Sequence, residues 1–146
     1  MIYVSGASGV IGDEVVRQLR AEGAPVRALV HHPENAEALE ALGAEIALGD
    51  LSRPQTLEAG LEGAERLFLL SPSDPEMAQL EANLVDAAAR AGVRRVVKQS
   101  AYGAAPDAPV AVGRAHAESE RHLEGSGTYD EFAADHAAVF RGDAPI

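Results

Sequence analysis

Residues 6–12 read GASGVIG and follow directly on MIYVS (1–5), a β-type run carried by Ile2, Tyr3 and Val4. The next stretch, VIGDEVVRQLRAEG (10–23), places Ile11, Val15 and Leu19 at helical spacing before Gly23 stops it. The three glycines thus stand between a strand and a helix. In that setting Gly6 permits a tight turn, Gly9 the close approach of a phosphate, and Gly12 close packing of the helix. The helix-start amides and the helix dipole then face the anion, with the Ser8 hydroxyl as a further donor. A plain structural turn uses glycine in the same way, so context has to decide.

The context is a repeated alternation. PVRALVHH (25–32) reads as a second strand, ENAEALEALG (34–43) as a helix with Leu39 and Leu42 inward, and AEIALGD (44–50) as a third strand. Ser52 with Gln55 forms a capping-box pattern for a helix through Leu57 and Leu61, which Gly63 ends. RLFLLS (66–71) is a compact apolar run of buried parallel type, MAQLEANLVDAAARAG (77–92) the most regular helix, and VRRVVKQS (93–100) a fifth strand. Right-handed crossovers between such units give an α/β fold: a doubly wound parallel sheet of about five strands with helices on both faces. AYGAAPDAPVAVG (101–113) reads as loop and RAHAESERHLEG (114–125) as helix. TYDEFAADHAAVF (128–140) opens on a second capping box, Thr128 with Glu131, and aligns Phe132, His136 and Phe140 on one face of a C-terminal helix. The tail RGDAPI is expected to fray.

At 146 residues, 47% of them apolar and 4% aromatic, the chain suits one compact domain with an aliphatic core. It is short for a cofactor domain joined to a full substrate domain. A formal charge of -11 argues against gripping nucleic acid or an anionic membrane through a general basic field. The absence of cysteine excludes disulfides, thiolate nucleophiles, iron–sulfur clusters and cysteine-based zinc sites. No run of about 18 apolar residues occurs, and no basic, then apolar leader opens the chain. A soluble, unexported, cytoplasmic protein is the expectation.

About 20 residues beyond the glycine loop, an acidic residue ending the second strand would hold an adenine-ribose 2′-hydroxyl, and a cation there would favour a 2′-phosphate. The strand ends on His31 and His32, with Arg27 inside it and no carboxylate. That favours NADP(H) over NAD(H). Two exposed loop histidines are the alternative, and neighbouring histidines without an H-x-x-x-H pair make a poor metal site. Asp50, ending the third strand, is placed to meet the adenine amine or to position its loop, or equally to cap the following helix.

With VSGASGVIG, ALVHHPE, GAEIALGDLS, LFLLSPSD and ANLVDAAARAGVRRVVKQSAYGA in hand, the chain resembles the NmrA-like group of atypical short-chain dehydrogenases/reductases. Its style is nearest to the NAD(P)H-dependent quinone and azo-dye oxidoreductases. The resemblance covers residues 1 to about 127 and implies a Rossmann fold with a nicotinamide cofactor at the carboxyl ends of the strands. Position by position, Gly6, Ser8, Gly9, Val10 and Ile11 match the phosphate loop, and Gly12 completes its glycines. His31 stands where NADP(H)-preferring relatives often carry arginine. Asp50 and Leu51 match the adenine side, Ser71 and Pro72 the loop under the nicotinamide ribose, and Ser100, Ala101 and Tyr102 the segment facing substrate.

The wider superfamily's Y-x-x-x-K pair is replaced here: Val112 stands for the tyrosine and His116 for the lysine. The resemblance lets His116 hold the ribose, with a core or surface histidine as the alternative. Tyr102 is the other nearby phenol, read as packing ahead of catalysis because its ordinary pKa is near 10. Tyrosine-driven carbonyl reduction is therefore disfavoured, and hydride transfer to a small flat acceptor, a quinone or azo compound, is favoured. A non-catalytic redox-sensing module and a vestigial remnant are the competing functions. HLEGSG (122–127) runs straight into TYDEFAADHAAVF, which resembles the family's closing helix, so a middle substrate-binding region is expected to be missing. Residues 1–127 are then an NAD(P)-binding domain and 128–146 a C-terminal helix and tail. The fifth strand should be a sheet edge, covered by the tail or by the second copy of a homodimer.

Overall fold

The computed structural model describes residues 1–127, and the readings placed on Thr128, Glu131, Phe132, His136 and Phe140 lie outside them. Strand and helix alternate throughout: β1 (Ile2–Val4), α1 (Val10–Ala21), β2 (Val26–Val30), α2 (Ala36–Ala41), β3 (Glu45–Leu48), α3 (Glu58–Leu61), β4 (Arg66–Leu69), α4 (Met77–Arg90), β5 (Arg95–Lys98) and α5 (Ala111–Gly125). All pairings are parallel and the strand order is β3-β2-β1-β4-β5. The chain therefore winds outward from β1 in one direction, returns, and winds outward in the other. The direction reverses between β1 and β4, where an open sheet of this kind leaves a crevice at the carboxyl ends of its strands.

The period-2 alternation of the strands sorts the core into two layers. Tyr3, Leu29, Ala47, Leu67, Leu69 and Val96 point to one face and pack against Leu57, Leu61, Leu84, Val85 and Leu123. Val4, Val26, Ala28 and Val30 point to the other, against Val16 and Leu39. Burial on both faces explains why the central strands read as near-continuous apolar runs. Leu57, Leu61 and Leu84 are fully buried, and each such side chain contributes about 1.5–3 kcal/mol relative to exposure.

The structure corrects several local expectations. Ile11 is not inward: it is 50% exposed, while Gly12 and Val16 take the buried positions of α1. The first turn of α1 points at the loops rather than the sheet, so only glycine fits beneath it. The Ser52 capping box does not form. Both the Ser52 amide and its hydroxyl donate to Asp50 Oδ1, at 2.8 and 2.7 Å, and a 3₁₀ turn at Pro54–Thr56 precedes α3. Helix α5 begins at Ala111, earlier than its sequence suggested. Coverage of the second face is also incomplete among the described residues. Val97 of the edge strand β5 is 62% exposed, because α1 and α2 pack over β1, β2 and β3 and reach only Phe68 of β4.

Candidate functional site

Ser5 joins the two strands that flank the reversal point. Its hydroxyl donates to the Leu70 carbonyl at 2.8 Å and accepts from the Leu70 amide at 3.0 Å. This clamp brings the loop after β1 against the loop after β4. Gly6 turns there with φ at +62°, and a Cβ on it would stand 2.9 Å from Leu70. A Cβ on Gly12 would lie 2.0 Å from the Gly6 carbonyl oxygen, so the start of α1 sits directly on the turn.

Helix α1 opens on Gly9, which has no side chain to cap it. The first helical bond runs from the Asp13 amide to the Gly9 carbonyl at 2.8 Å. The amides of Val10, Ile11 and Gly12 precede that bond and are the orphan donors of a helix start. A Cβ on Gly9 would meet only the Gly6 carbonyl oxygen, at 3.3 Å. Positive dipole, free amides and open space coincide at one point, which suits an anion with two or more acceptor oxygens.

That point opens into a cavity of about 500 Å³, within the range of small-molecule and cofactor sites. Of the residues singled out from the sequence, Gly6, Ser8, Gly9, Val10, Ile11, His31, Asp50, Leu51, Ser71 and Pro72 line it. Leu29, Gly49 and Leu70 line it as well, and sequence reasoning did not find them. Gly12 lies behind the turn, and His32, Ser100, Tyr102 and His116 are not in the wall. Val10 is 93% exposed, leaving an apolar side chain bare at the helix start.

The cavity's far wall is fixed from several sides. Thr56 Oγ1 accepts from the Asp50 amide at 2.9 Å, and Asn83 of α4 donates to the Leu51 carbonyl at 2.8 Å. The Ser52 hydroxyl and amide hold the Asp50 carboxyl below the ordinary carboxylate pKa, helped by His31 and Arg53 against a smaller opposing effect of burial. His31 Nε2 lies 3.5 Å from Asp50 Oδ2 and Arg53 Nε 3.6 Å from it. Asp50 thus positions its loop rather than capping a helix. Arg27, noted near the histidines in the sequence, is turned away: it pairs with Glu45 and donates to the carbonyls of Gly60 and Glu62. Arg53 is the basic side chain that stands beside His31, and its place in a loop after β3 left no sequence signal. Glu34 lies 3.9 Å from His32 and outside the wall.

Past Ser71, the polar contacts turn inward. Ser71 Oγ donates to Glu81 Oε1 at 2.8 Å, and Glu81 Oε2 pairs with Lys98 Nζ at 2.9 Å. Lys98 in turn lies 2.8 Å from His116 Nδ1. Neither Glu81 nor Lys98 was singled out from the sequence. The available signal was a carboxylate on the apolar stripe Met77, Glu81, Leu84, Val85, Ala88 of α4, all buried. Burial first, and then the Lys98 cation, hold His116 below the ordinary histidine pKa, with Glu81 and Glu120 acting in the opposite sense. Ser100 donates to Glu120. Tyr102 is fully exposed, so the packing expected of it is absent: it sits in the loop between β5 and α5, with no core beneath it.

Comparison with known proteins bears on what this cavity takes. A family model described as NAD(P)H-binding matches residues 6–138. The chain is 42% identical over 127 residues to an NAD(P)H azoreductase of Xenophilus azovorans, covering 87% of this chain and 44% of that protein. Its fold is similar to an NADPH-dependent quinone oxidoreductase of Escherichia coli complexed with NADPH (TM-score 0.79, 29% identity, 97% of this chain and 55% of the other). It is also similar to a Citrobacter triphenylmethane reductase complexed with NADP(H) (TM-score 0.77, 26% identity, 88% and 47%). The chain spans about half the length of these relatives. Among the described residues, no helix is long and apolar enough to cross a membrane.

Proposed function

The chain belongs to the NAD(P)H-binding family, and from that premise we propose that its cavity holds a nicotinamide dinucleotide, NADP(H) in preference to NAD(H), for hydride transfer to a small flat acceptor. The observation that carries the reading is the uncapped start of α1, whose amides open into the cavity at the point where strand order reverses. In this reading the amides of Val10 and Ile11 at the helix start hold the pyrophosphate, with Ser8 beside them. Asp50 and Leu51 flank the adenine, and His31 with Arg53 meets a 2′-phosphate. Ser71 and Pro72 form the floor under the nicotinamide ribose.

Bound there, reduced nicotinamide supplies two electrons and one proton as hydride, and a quinone takes one further proton from solvent to become a hydroquinone. The protein's share of such a reaction is binding and orientation. No tyrosine stands at position 112, and Tyr102 points into water, so the reading requires no side-chain acid. The same two facts favour a second reading, in which the cofactor binds, nothing is turned over, and the chain reports redox state to a partner. The exposed edge at β5, with Val97 bare, supports pairing with a second copy in a homodimer. A cytoplasmic setting belongs to the same proposal.

The test is NADPH oxidation followed with soluble quinones and an azo dye, alongside binding of NADPH and NADH. Turnover with a quinone or azo acceptor supports the oxidoreductase, and binding without turnover leaves the sensing module. No binding of either nucleotide ends both. Light scattering on the same sample reads the homodimer, and a monomer at working concentration removes it.

A further inference from the structure

The Asp50 carboxylate, in the cavity wall, divides its two oxygens between different kinds of partner. Oδ1 takes both Ser52 donors, at 2.8 and 2.7 Å. Oδ2 is turned toward two basic side chains, with His31 Nε2 at 3.5 Å and Arg53 Nε at 3.6 Å. His31 follows β2 and lines the cavity, whereas Arg53 comes from the loop after β3. One carboxylate oxygen therefore gathers two basic groups from separate loops, at a place open to solvent: the His31 side chain is 60% exposed.

The charges around that oxygen do not balance in the same way at every pH. Asp50 is ionised, because the Ser52 donors hold its carboxyl below the ordinary carboxylate pKa, and a guanidinium is always charged. These two fixed charges cancel, so the sign of the local field is left to His31. Behind it the His32 ring stands 4.3 Å away between ring centroids, and His32 Nδ1 lies 3.9 Å from Glu34, a carboxylate that matches any charge His32 takes up. Among the described residues, His31 and Asp50 are the only acid–base side chains of the wall itself.

Histidine gains and loses its charge between pH 5 and 8, where an arginine in the same place would present a cation throughout. We propose that protonation of His31 sets how strongly the cavity prefers a dinucleotide carrying a 2′-phosphate, so that NADPH is separated from NADH at mildly acid pH and far less in alkali. The inference rests on the dinucleotide reading above and adds a linked proton to it. NADPH binding to the neutral imidazole takes one proton from solvent onto His31, and NADH binding takes none. Arg53 supplies the part of the preference that does not change with pH. The 2′-phosphate itself gains a proton near pH 6, which weakens the contact from the acid side. Preference should therefore be greatest between about pH 6 and 7 and decline as pH rises.

Fluorescence titration of the full chain with NADPH and with NADH, at constant ionic strength from pH 6.5 to 8.5, tests this. The ratio of the two affinities removes any titration that affects both nucleotides alike. It should fall about fivefold across that range if the phosphate raises the His31 midpoint by about one pH unit. In His31→Arg the ratio should stay high at every pH, in His31→Gln low at every pH, and His32→Gln should keep the parent profile. Nitrogen–proton correlation NMR of the histidine rings reads the same proton directly: the His31 midpoint should rise by about one unit with saturating NADPH and hold its place with NADH. A ratio that does not change with pH, or a pH dependence that persists in His31→Gln, overturns the inference while leaving dinucleotide binding intact. If neither nucleotide binds, the dinucleotide reading falls and the inference falls with it.

Discussion

Alanine at Gly12 and alanine at Gly9, made separately, have opposite consequences although both residues belong to one seven-residue loop. At Gly12 the added Cβ would stand 2.0 Å from the Gly6 carbonyl oxygen, 2.6 Å from its carbon and 2.7 Å from Ala7 Cα. All three are backbone atoms, so no side chain can swing aside and the start of α1 must withdraw. Overpacking of this kind costs about 1–3 kcal/mol, with a wholly backbone clash at the upper end. For a domain of this size that lowers Tm by roughly 10 °C. At Gly9 the methyl would touch only the Gly6 carbonyl oxygen, at 3.3 Å, and otherwise stand in the cavity. The loss of a favourable cap residue and the gain from a less flexible unfolded chain nearly offset, leaving stability within about 1 kcal/mol of the parent. The same methyl blocks the helix-start amides, where each hydrogen bond to a charged group is worth about 1.5–3 kcal/mol, so NADPH affinity falls tenfold or more. Thermal unfolding by circular dichroism and fluorescence titration with NADPH read the two effects. Parent-like binding in Gly9→Ala would show that the helix-start amides do not hold the nucleotide, and parent-like melting in Gly12→Ala would show that the start of α1 can withdraw without cost.

Three further outcomes follow from particular contacts. Tyr3 is fully buried and its hydroxyl has no hydrogen-bond partner among the described residues; burial raises its pKa far above the ordinary phenol value, against the attraction of Arg27. Tyr3→Phe should therefore stabilise the fold by about 1 kcal/mol in urea unfolding, and a destabilisation of that size would contradict it. His116 has a depressed pKa in the folded state, so the unfolded chain binds more protons just below the ordinary value near 6.5. The stability linked to it is complete above that value and is lost as pH falls through the window down to the folded pKa; His116→Gln should flatten that part of the stability profile. Arg53→Ala should weaken NADPH about threefold to tenfold through loss of one charge-assisted contact while leaving NADH unchanged. An equal loss for both nucleotides would place Arg53 away from the 2′-phosphate.

The alternation of strand and helix was legible because each βα unit carries its own signal: β-type runs, helical spacing, and glycine between them. What escaped was set by contacts between units or by local competition that a single pattern ignores. Ser52 and Gln55 fit a capping pattern, yet Asp50, two residues back, captures both Ser52 donors, a short-range competition the pattern ignores. Ile11 fits the apolar period of α1, yet the first turn lies over a cavity rather than a sheet. Glu81 broke an otherwise apolar stripe and so announced a buried partner, but which cation it meets depends on how α4 packs beside β5. Arg27 looked available to a phosphate until the sheet placed it at the opposite end of β2 from the cavity, between Glu45 and the carbonyls of Gly60 and Glu62.

If the start of α1 and the cavity it opens into hold a nicotinamide dinucleotide, the full chain must bind one in solution. Isothermal titration of the full chain with NADPH measures that binding without any acceptor or coupled reaction. Binding should be saturable at one site per chain, tighter for NADPH than for NADH and weakened tenfold or more by Gly9→Ala. No heat of binding from either nucleotide at any accessible concentration, or binding that Gly9→Ala leaves untouched, would contradict it.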